Sequence, residues 1–533
     1  MLQRRQMRSQ AKRAESLVKT TALDRAIAYV APRAGLRRYE ARARMALATG
    51  GGAYEGARNK RSMGNWNPSG GSADADVLPD LPDLRERSRD LVRNQAVASG
   101  ALNRVQQNAV GSGLELQSSI DADAAGISEE EAADISARIT RDFAAWANSD
   151  RCDAEGRFNF GTLQGLAFRS AFENGDAFGL LPIRGRDLKV RLIEADRVCN
   201  ADLQPDGLLE DGGELAGGIE FDAVGRPWRC HILRGHPGAL GPTAMEWDKV
   251  RFFGSRSGRR NLVHLMDPQR IGQSRGAPWF APVLEEFRQL GEYTENELMA
   301  TAVSSMLTVF TKTEGGQGLA QWDNDSSTSS DEGEGAELGN GAMVDLAPGE
   351  DIEVVDPNRP NSQYDAFVTA IVRQIGASLG LPYELLIQHF TSSYSASRAA
   401  LLQGWTFFRG RREWLVDYFC QPIFEEWLRW QVVQGRYDLP GFMDDPVRRQ
   451  AYLQADWVGP APGQLDPVKE TDAAERRVEY GFSTRTKEAR SMGGGDYRAN
   501  IRGRAKEEQF AREQEVGLGK AAESIAAPTD NEE

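Results

Sequence analysis

The sequence predicts an α+β protein, and three patterns carry that prediction. Apolar residues recur at helical spacing between 80 and 174, short β-prone pieces separated by turn residues follow from 179 to 265, and long amphipathic helices return from 278 onward. At 533 residues the chain exceeds the size at which one core keeps growing, so at least two cores are expected.

Residues 80–110 read as one helix carrying Leu84, Leu91, Val92, Val97, Ala101, Leu102 and Val105, closed by Gly111-Ser-Gly113. Ser128 with Glu131 three residues later is a capping box, which opens a helix reaching Trp146. A further helix over 160–174 stops at Asn174-Gly175. The strands expected next are 189–193, 218–221, 228–233, 250–253 and 261–265, forming an antiparallel sheet. Pro278 starts a long helix to about 307, with Phe280, Val283, Leu284, Phe287, Leu290, Leu298, Ala302 and Met306 on one side. Residues 314–342 hold seven acids and no base in a Gly/Ser/Asp-rich background, a composition that cannot bury enough apolar surface to order itself. A strand over 343–355 follows.

The most informative stretch is 364–428. Tyr364, Phe367, Val368, Ile371, Val372, Ile375 and Leu379 make one apolar stripe, which Gly380-Leu-Pro382 interrupts. A hydroxyl-rich segment, 389–400, is suited to capping the next helix, and that helix carries Trp405, Phe408, Trp414, Phe419 and Trp427 with Arg409, Arg411 and Arg412 on its first half. Pro422 is expected to kink it. The aromatic stripe around Trp405, Trp414, Trp427 and Trp430 reads as packing before it reads as a base-stacking platform.

Bulk composition excludes several classes. Mean hydropathy is −0.51, and no apolar run approaches the ~20 residues of a spanning helix. The N-terminus is basic without an apolar core, so no signal peptide is read. Cys152, Cys199, Cys230 and Cys420 are widely spaced and read as reduced thiols. The net charge of −14 hides an asymmetry: residues 1–61 carry 15 bases against 4 acids, and the acidic remainder disfavours tight binding to a phosphate backbone. The basic arm reads either as a solvated helix or as a contact to DNA or an acidic partner.

Catalytic parts are missing. Gly517-Leu-Gly-Lys520 is followed by alanine, so there is no phosphate-binding loop, and the four histidines include no i, i+4 pair. Cys230, His231 and His236 alternate across a strand, which sets them against a metal site. Asp150, Asp153 and Glu155, and the pair Asp444 and Asp445, read as ordinary acidic loops rather than a two-metal centre.

Ordered motifs supply the rest. Gly380-Leu-Pro-Tyr-Glu-Leu-Leu386, Ser393-Tyr-Ser-Ala-Ser-Arg-Ala399, Trp405-Thr-Phe-Phe408 and Gly410-Arg-Arg412 come together with Arg87-Ser-Arg-Asp-Leu-Val-Arg-Asn94, Asn108-Ala-Val-Gly-Ser-Gly-Leu114, Arg275-Gly-Ala-Pro-Trp-Phe-Ala-Pro-Val-Leu-Glu285, Pro348-Gly-Glu-Asp-Ile352 and Asp456-Trp-Val-Gly-Pro460. In content and order they resemble the lambda-type family of bacteriophage portal proteins, over roughly residues 26–490.

The resemblance implies a portal fold within the α+β class: an α/β wing, long stem helices, a small clip module and a C-terminal helical crown, in a ring-shaped homo-oligomer of twelve subunits at one capsid vertex. Mapped onto this chain it gives a basic N-terminal arm (1–79), wing (80–275), first stem helix (276–308), clip with the acidic flexible insert (309–358), second stem helix (359–384), tunnel loop (385–397), helical wing and crown (398–490) and a polar tail expected to be disordered (491–533). Gln388, His389, Thr391, Ser392, Ser393, Tyr394 and Ser395 would then line the DNA channel, and the Arg409, Arg411 and Arg412 cluster reads as bridging carboxylates of a neighbouring subunit or, alternatively, as an occasional contact with packaged DNA. The implied partners are further copies of the chain, the terminase large subunit, the major capsid protein or scaffold, head-tail adaptor proteins and double-stranded DNA read without sequence specificity. No membrane and no cofactor is expected, and the place of action is the virion, after assembly in the host bacterial cytoplasm. The alternatives are a nuclease of the packaging machinery or another capsid or tail component. The first needs metal or nucleotide motifs, and the second would lack the helix, acidic insert, helix order.

Overall fold

The computed structural model describes residue 29, residues 70–241, 245–305, 309–311, 343–345, 363–389, 393–463, 466–493, 495, 497–514 and 516. The chain divides into two units, Met1–Ser72 and Ala73–Glu533, and the architecture below is that of the second. Apart from residue 29, the basic arm up to residue 69 lies outside the described residues, as do the acidic insert and most of the clip.

Helix α1 (Ala73–Val77) leads into α2 (Leu81–Asn94) and α3 (Ala96–Ala109). The single helix expected over 80–110 is therefore two. Gln95 is extended, with φ −110° and ψ 113°, and its side-chain oxygen accepts from the amides of Val97 and Ala98, capping α3 where helical hydrogen bonding breaks. Strand β1 (Glu115–Ser118), α4 (Ala122–Ala125) and α5 (Glu129–Ala147) come next. The Ser128–Glu131 capping box is present in both directions. Helix α6 (Phe160–Asn174) ends as expected, at Gly175.

The sheet region starts earlier than its sequence pattern suggests. Strand β2 (Asp176–Leu180) lies between β5 (Arg191–Ile193) and β11 (Leu262–Met266), with the short hairpin β3 (Ile183–Arg184) and β4 (Asp187–Leu188) beside it. A five-stranded antiparallel sheet runs β10 (Trp247–Arg251), β9 (Pro227–Leu233), β8 (Ile219–Phe221), β7 (Glu214–Ala216), β6 (Gly207–Leu208). Two cores result, as the length requires. One is built from the helices with β2 and β11, and the smaller one gathers Phe178, Ile193, Ile219, Cys230, Ile232 and Leu262 under the sheet.

Helix α7 (Leu284–Ser305) follows a 3₁₀ turn at Ala281–Val283, so the long helix begins later than Pro278. Strand β12 (Val309–Thr311) pairs in parallel with β13 (Met343–Asp345), and the rest of the expected strand, 346–355, lies outside the described residues. Helices α8 (Tyr364–Leu379), α9 (Tyr383–Ile387) and α10 (Tyr394–Leu415) precede a π-helical segment, Val416–Cys420, and α11 (Gln421–Val433). Pro422 thus sits in the first turn of α11, where its missing N–H costs little, and the ladder shifts register just before it. Helix α12 (Pro446–Tyr452) and β14 (Ala455–Val458) return the chain to β1, a pairing between Glu115 and Val458 that local pattern did not indicate. Helices α13 (Pro467–Glu479), α14 (Arg485–Ser491) and α15 (Tyr497–Glu513) end the described chain. Helix α15 corrects the expectation of an unordered tail from 491: with only Ala511 buried, it is tied to α14 by Arg485, which donates to the Tyr497 hydroxyl at 3.2 Å, and carries i, i+4 pairs such as Arg504–Glu508 and Gln509–Glu513.

A buried polar hub locks the body beneath α7. Asp176, at the start of β2, accepts from Arg275 Nε at 2.6 Å and Nη2 at 3.1 Å, from Arg85 of α2 at 3.1 Å, and pairs with His264 of β11 at 3.3 Å. Burial alone would raise its carboxyl pKa, but Arg275 and Arg85 overcome this and hold it well below the usual range. Burial and the neighbouring Arg275 lower Arg85 to about 10. Arg275 also donates to the carbonyls of Val198, Ala195 and Gly217 at 2.8, 2.9 and 2.5 Å, so every face of its fork is used. Beside it Gly175 and Gly276 meet backbone to backbone: a Cβ on Gly276 would lie 1.9 Å from the Gly175 oxygen.

Candidate functional site

The functional region is built on the α7–α8 pair and the elbow that follows. Phe280, Val283, Phe287 and Leu290, at the base of α7, are buried against the body. Beyond them the same stripe emerges: Leu298 and Met299 are 67% and 63% exposed, Ala302 is exposed, and Met306 lies outside the described residues. Helix α8 shows the same gradient, with Val372, Ile375 and Leu379 buried near the body and Phe367 48% exposed at the other end. The two helices meet through Tyr293, which stacks on Tyr364 at 5.7 Å and leans on Phe367 at 4.8 Å. The Tyr364 hydroxyl donates to Thr294 at 3.3 Å.

Helix α8 ends at Gly380 in the left-handed conformation, as the Gly-Leu-Pro break predicts. Its successor α9 is clamped from two sides. Arg104 of α3 donates to the carbonyls of Leu385, at 2.8 Å, and Leu386, taking up two acceptors at the end of a one-turn helix. On the other side Leu385 presses against Gly404 of α10, where any Cβ would fall 2.2 Å from the leucine side chain. Tyr383 is held by Thr369, 3.4 Å from its hydroxyl, and by the Arg373 guanidinium over its ring at 5.2 Å. The loop thus leaves a fixed platform.

Gln388 and His389 stand exposed at the exit of α9, Gln388 at φ 55°. Thr391 and Ser392 lie outside the described residues. Ser393 is exposed and occupies the N-cap position of α10, yet makes no side-chain cap hydrogen bond, so the expected capping role is not taken by this serine; its carbonyl accepts from Ser397 at 3.0 Å. Tyr394 and Ser395 form the first residues of α10.

The three arginines part company. Arg412 turns inward and donates to the carbonyls of Ala109 at 2.9 Å, Asn108 at 3.0 Å and Pro460 at 2.5 Å. It therefore joins the 108–114 and 456–460 motifs. Burial lowers its pKa. Arg411 pairs with Asp267 and lies over Phe172 and Phe407 at 5.7 and 5.3 Å. Arg409 stays exposed.

The remaining sequence candidates have structural duties. Trp414 and Trp427 are core residues, and the indoles of Trp414 and Trp430 donate to the carbonyls of Met266 and Arg186, both at 2.9 Å. Asp153 is buried and accepts from the amides of Glu155, Arg157 and Phe158, while Asp445 caps α12. His231 bonds Glu220 at 2.7 Å. Burial pushes the thiols of Cys152 and Cys230 up to about 12, which keeps them protonated. Among the described residues no His/Cys/Asp/Glu group is placed to hold a metal ion, and no helix is long and apolar enough to cross a membrane. Sequence reasoning missed Arg104 and the Asp176 hub, whose other members lie 88 to 99 residues from Asp176. The only available signal was Arg275 at the head of the 275–285 motif.

Comparison with known proteins adds the family. Residues 59–412, about two thirds of the chain, match the family model for phage portal proteins of the lambda family. Portal protein B of Escherichia phage lambda is 27% identical over 458 residues, covering 80% of this chain and 84% of that protein. The portal protein of Escherichia phage N15 is 27% identical over 473 residues (83% and 86%), and a probable portal protein of Halomonas phage phiHAP-1 is 24% identical over 444 residues (80% of each). Among solved structures, a chain of the virion of a native gene transfer agent particle overlaps 80% of this chain and 95% of its own, with TM-score 0.40 and 11% identity. The chain belongs to the lambda family of phage portal proteins.

Proposed function

We propose that copies of this chain close into a ring of twelve at one capsid vertex, with double-stranded DNA packaged and later ejected through the central channel. The ring would nucleate head assembly, dock the terminase large subunit during packaging, and then receive head-tail adaptor proteins. The chain itself supplies no catalysis in this reading. It assembles in the host cytoplasm with the major capsid protein or scaffold and is retained in the virion.

The observation that carries this reading is the gradient of burial along α7 and α8. Each is anchored in the body at one end and presents Leu298, Met299 and Phe367 at the other, apolar surface that a neighbouring copy can cover. Closed cyclic symmetry satisfies every copy equally. In the same reading 80–275 forms the wing, 276–308 and 359–384 the stem, 309–358 the clip that meets terminase and adaptor, and 398–490 the helical wing and crown. Of the arginine cluster, Arg409 is the member we assign to contacts between subunits, since Arg411 and Arg412 are engaged within their own chain.

Gln388 to Ser395 would face the lumen as a collar without acids, approaching phosphates without gripping them. Introducing His389→Arg with Ser393→Arg tests this. Each new phosphate contact adds about 0.9 to the salt dependence exponent, so packaging by assembled heads should slow at low salt and recover at high salt. An unchanged rate at both, with normal rings, would remove this segment from the DNA path.

A further inference from the structure

We infer a second contact for the DNA backbone on the outer corner of the five-stranded sheet, formed by Arg226, Arg251 and Arg260 around Trp228 and Phe253, with exposed Arg256 in the adjoining turn. Residues 249–266 contain five Lys/Arg and no acid, in a chain whose net charge is −14. The fold gathers this stretch into a tight hairpin: Phe253 bridges Arg260, the Gly254 amide donates to the Arg259 carbonyl at 2.8 Å, and the Gly258 amide to Gly254 at 2.9 Å. The turn before β9 brings Arg226 to the same place.

What distinguishes these arginines is how they are held. Arg226 and Arg260 each lie 4.9 Å from the centre of the Phe253 ring, and Arg251 lies 4.9 Å from that of Trp228. Among the described residues none of the four forms an ion pair, whereas neighbouring Arg229 pairs with Glu220 and Arg259 with Glu426. Asp222, the nearest acid along the turn, is occupied by the amides of Val224 and Arg226. Aromatic faces therefore fix the planes of three guanidinium groups and leave their N–H donors open. Of the four, Arg260 also lies in the field of Glu425 and Glu426, with its backbone amide donating to Glu426 at 2.9 Å, while Arg226 and Arg256 are exposed.

A planar fork with open donors matches the paired oxygens of a phosphodiester, and rings already covered by cations are poor platforms for bases. The ligand class is thus a nucleic-acid backbone, bound without sequence preference. That it is double-stranded DNA rests on the conduit role proposed above. The surrounding acidic body would keep such contact local and reversible.

The test uses the full-length chain and a 30-base-pair duplex, with arginine-specific modification read residue by residue in mass spectrometry. DNA should protect Arg226, Arg251, Arg256 and Arg260 while leaving exposed Arg234 reactive. In titrations, Arg226→Gln, Arg251→Gln and Arg260→Gln together should lower the salt exponent by about 2.7, three contacts at about 0.9 each. Raising salt fourfold would then cost the variant about 40-fold less affinity than the parent. The three lysine substitutions should keep most of the exponent. Equal modification with and without DNA, or an unchanged exponent in the glutamine variant, overturns the assignment. So does stronger protection by polyglutamate at equal charge, which would mark the patch as a site for an acidic protein segment. Ring formation, scored separately in the same preparation by electron microscopy, is independent of all these outcomes: normal rings without protection sink the patch alone.

Discussion

Replacing Arg275 by methionine should cost on the order of 5 kcal/mol of stability, because it breaks a buried charge pair and strands several acceptors at once. Arg275 is 1% exposed and makes two hydrogen bonds to Asp176 and three to backbone carbonyls. Removing one partner of such a pair typically costs about 3–5 kcal/mol. Each carbonyl left unsatisfied adds about 1 kcal/mol or more where water cannot enter. The estimate stays near the lower end of that sum because Arg85 and His264 remain beside Asp176 and relieve part of its isolation. Against a typical total of about 5–15 kcal/mol, the body of the variant would be marginally stable. Arg275→Lys keeps the charge but not the fork, and should fall between the two. Urea unfolding followed by tryptophan fluorescence at neutral pH measures this as a lowered midpoint at constant slope. A methionine variant with the midpoint and slope of the parent would show that the hub does not hold the body together.

Three further outcomes are expected. Gly276→Ala should destabilise the same junction by at least about 2 kcal/mol, since its Cβ would meet the Gly175 carbonyl at 1.9 Å; the same urea midpoint reads it. Leu298→Asp and Met299→Asp should reduce ring formation in native mass spectrometry while leaving the unfolding free energy within about 0.5 kcal/mol of the parent, because both side chains are largely exposed within one chain. Lowering the pH should weaken the parent more than a His264→Gln variant. Burial lowers the His264 pKa against the pull of Asp176, so below its unfolded value of about 6.5 the unfolded chain takes up a proton that the folded chain does not. The histidine's contribution is therefore complete above about pH 6.5 and declines as pH falls. Asp176, whose folded pKa is depressed, adds its own loss only below about pH 4. Identical pH dependence in parent and variant would show that His264 does not titrate differently on folding.

Much of the helical framework was legible because its signals are local. The Ser128–Glu131 box, the Asn174-Gly175 stop and the Gly380 cap each act within one turn, and the sequence states them directly. The break at Gln95 was hidden because a glutamine cap satisfies the same amides without a glycine or proline to announce it. Strands β1 and β14 were missed because each is short and gains its stability from a partner more than 300 residues away. For the same reason the ends of the motifs at 108–114 and 456–460 carried no meaning until Arg412 was seen to bind both. Helix α15 defied its polar composition through side-chain pairs on its own surface and the Arg485–Tyr497 bond to α14. The elbow was readable as helix, break and helix; the Arg104 clamp that fixes it was not, since its acceptors are backbone carbonyls 281 and 282 residues away.

The central claim is that the exposed ends of α7 and α8 are subunit contacts of a ring. Electron microscopy of the purified full-length chain, with particle mass measured on the same sample, tests it most directly. Ring-shaped particles with a central hole and a mass near twelve copies are the predicted result, and thirteen copies would still satisfy the claim of closed symmetry. A sample that stays monomeric across salt and concentration, with Leu298, Met299 and Phe367 exposed in every particle, would contradict it.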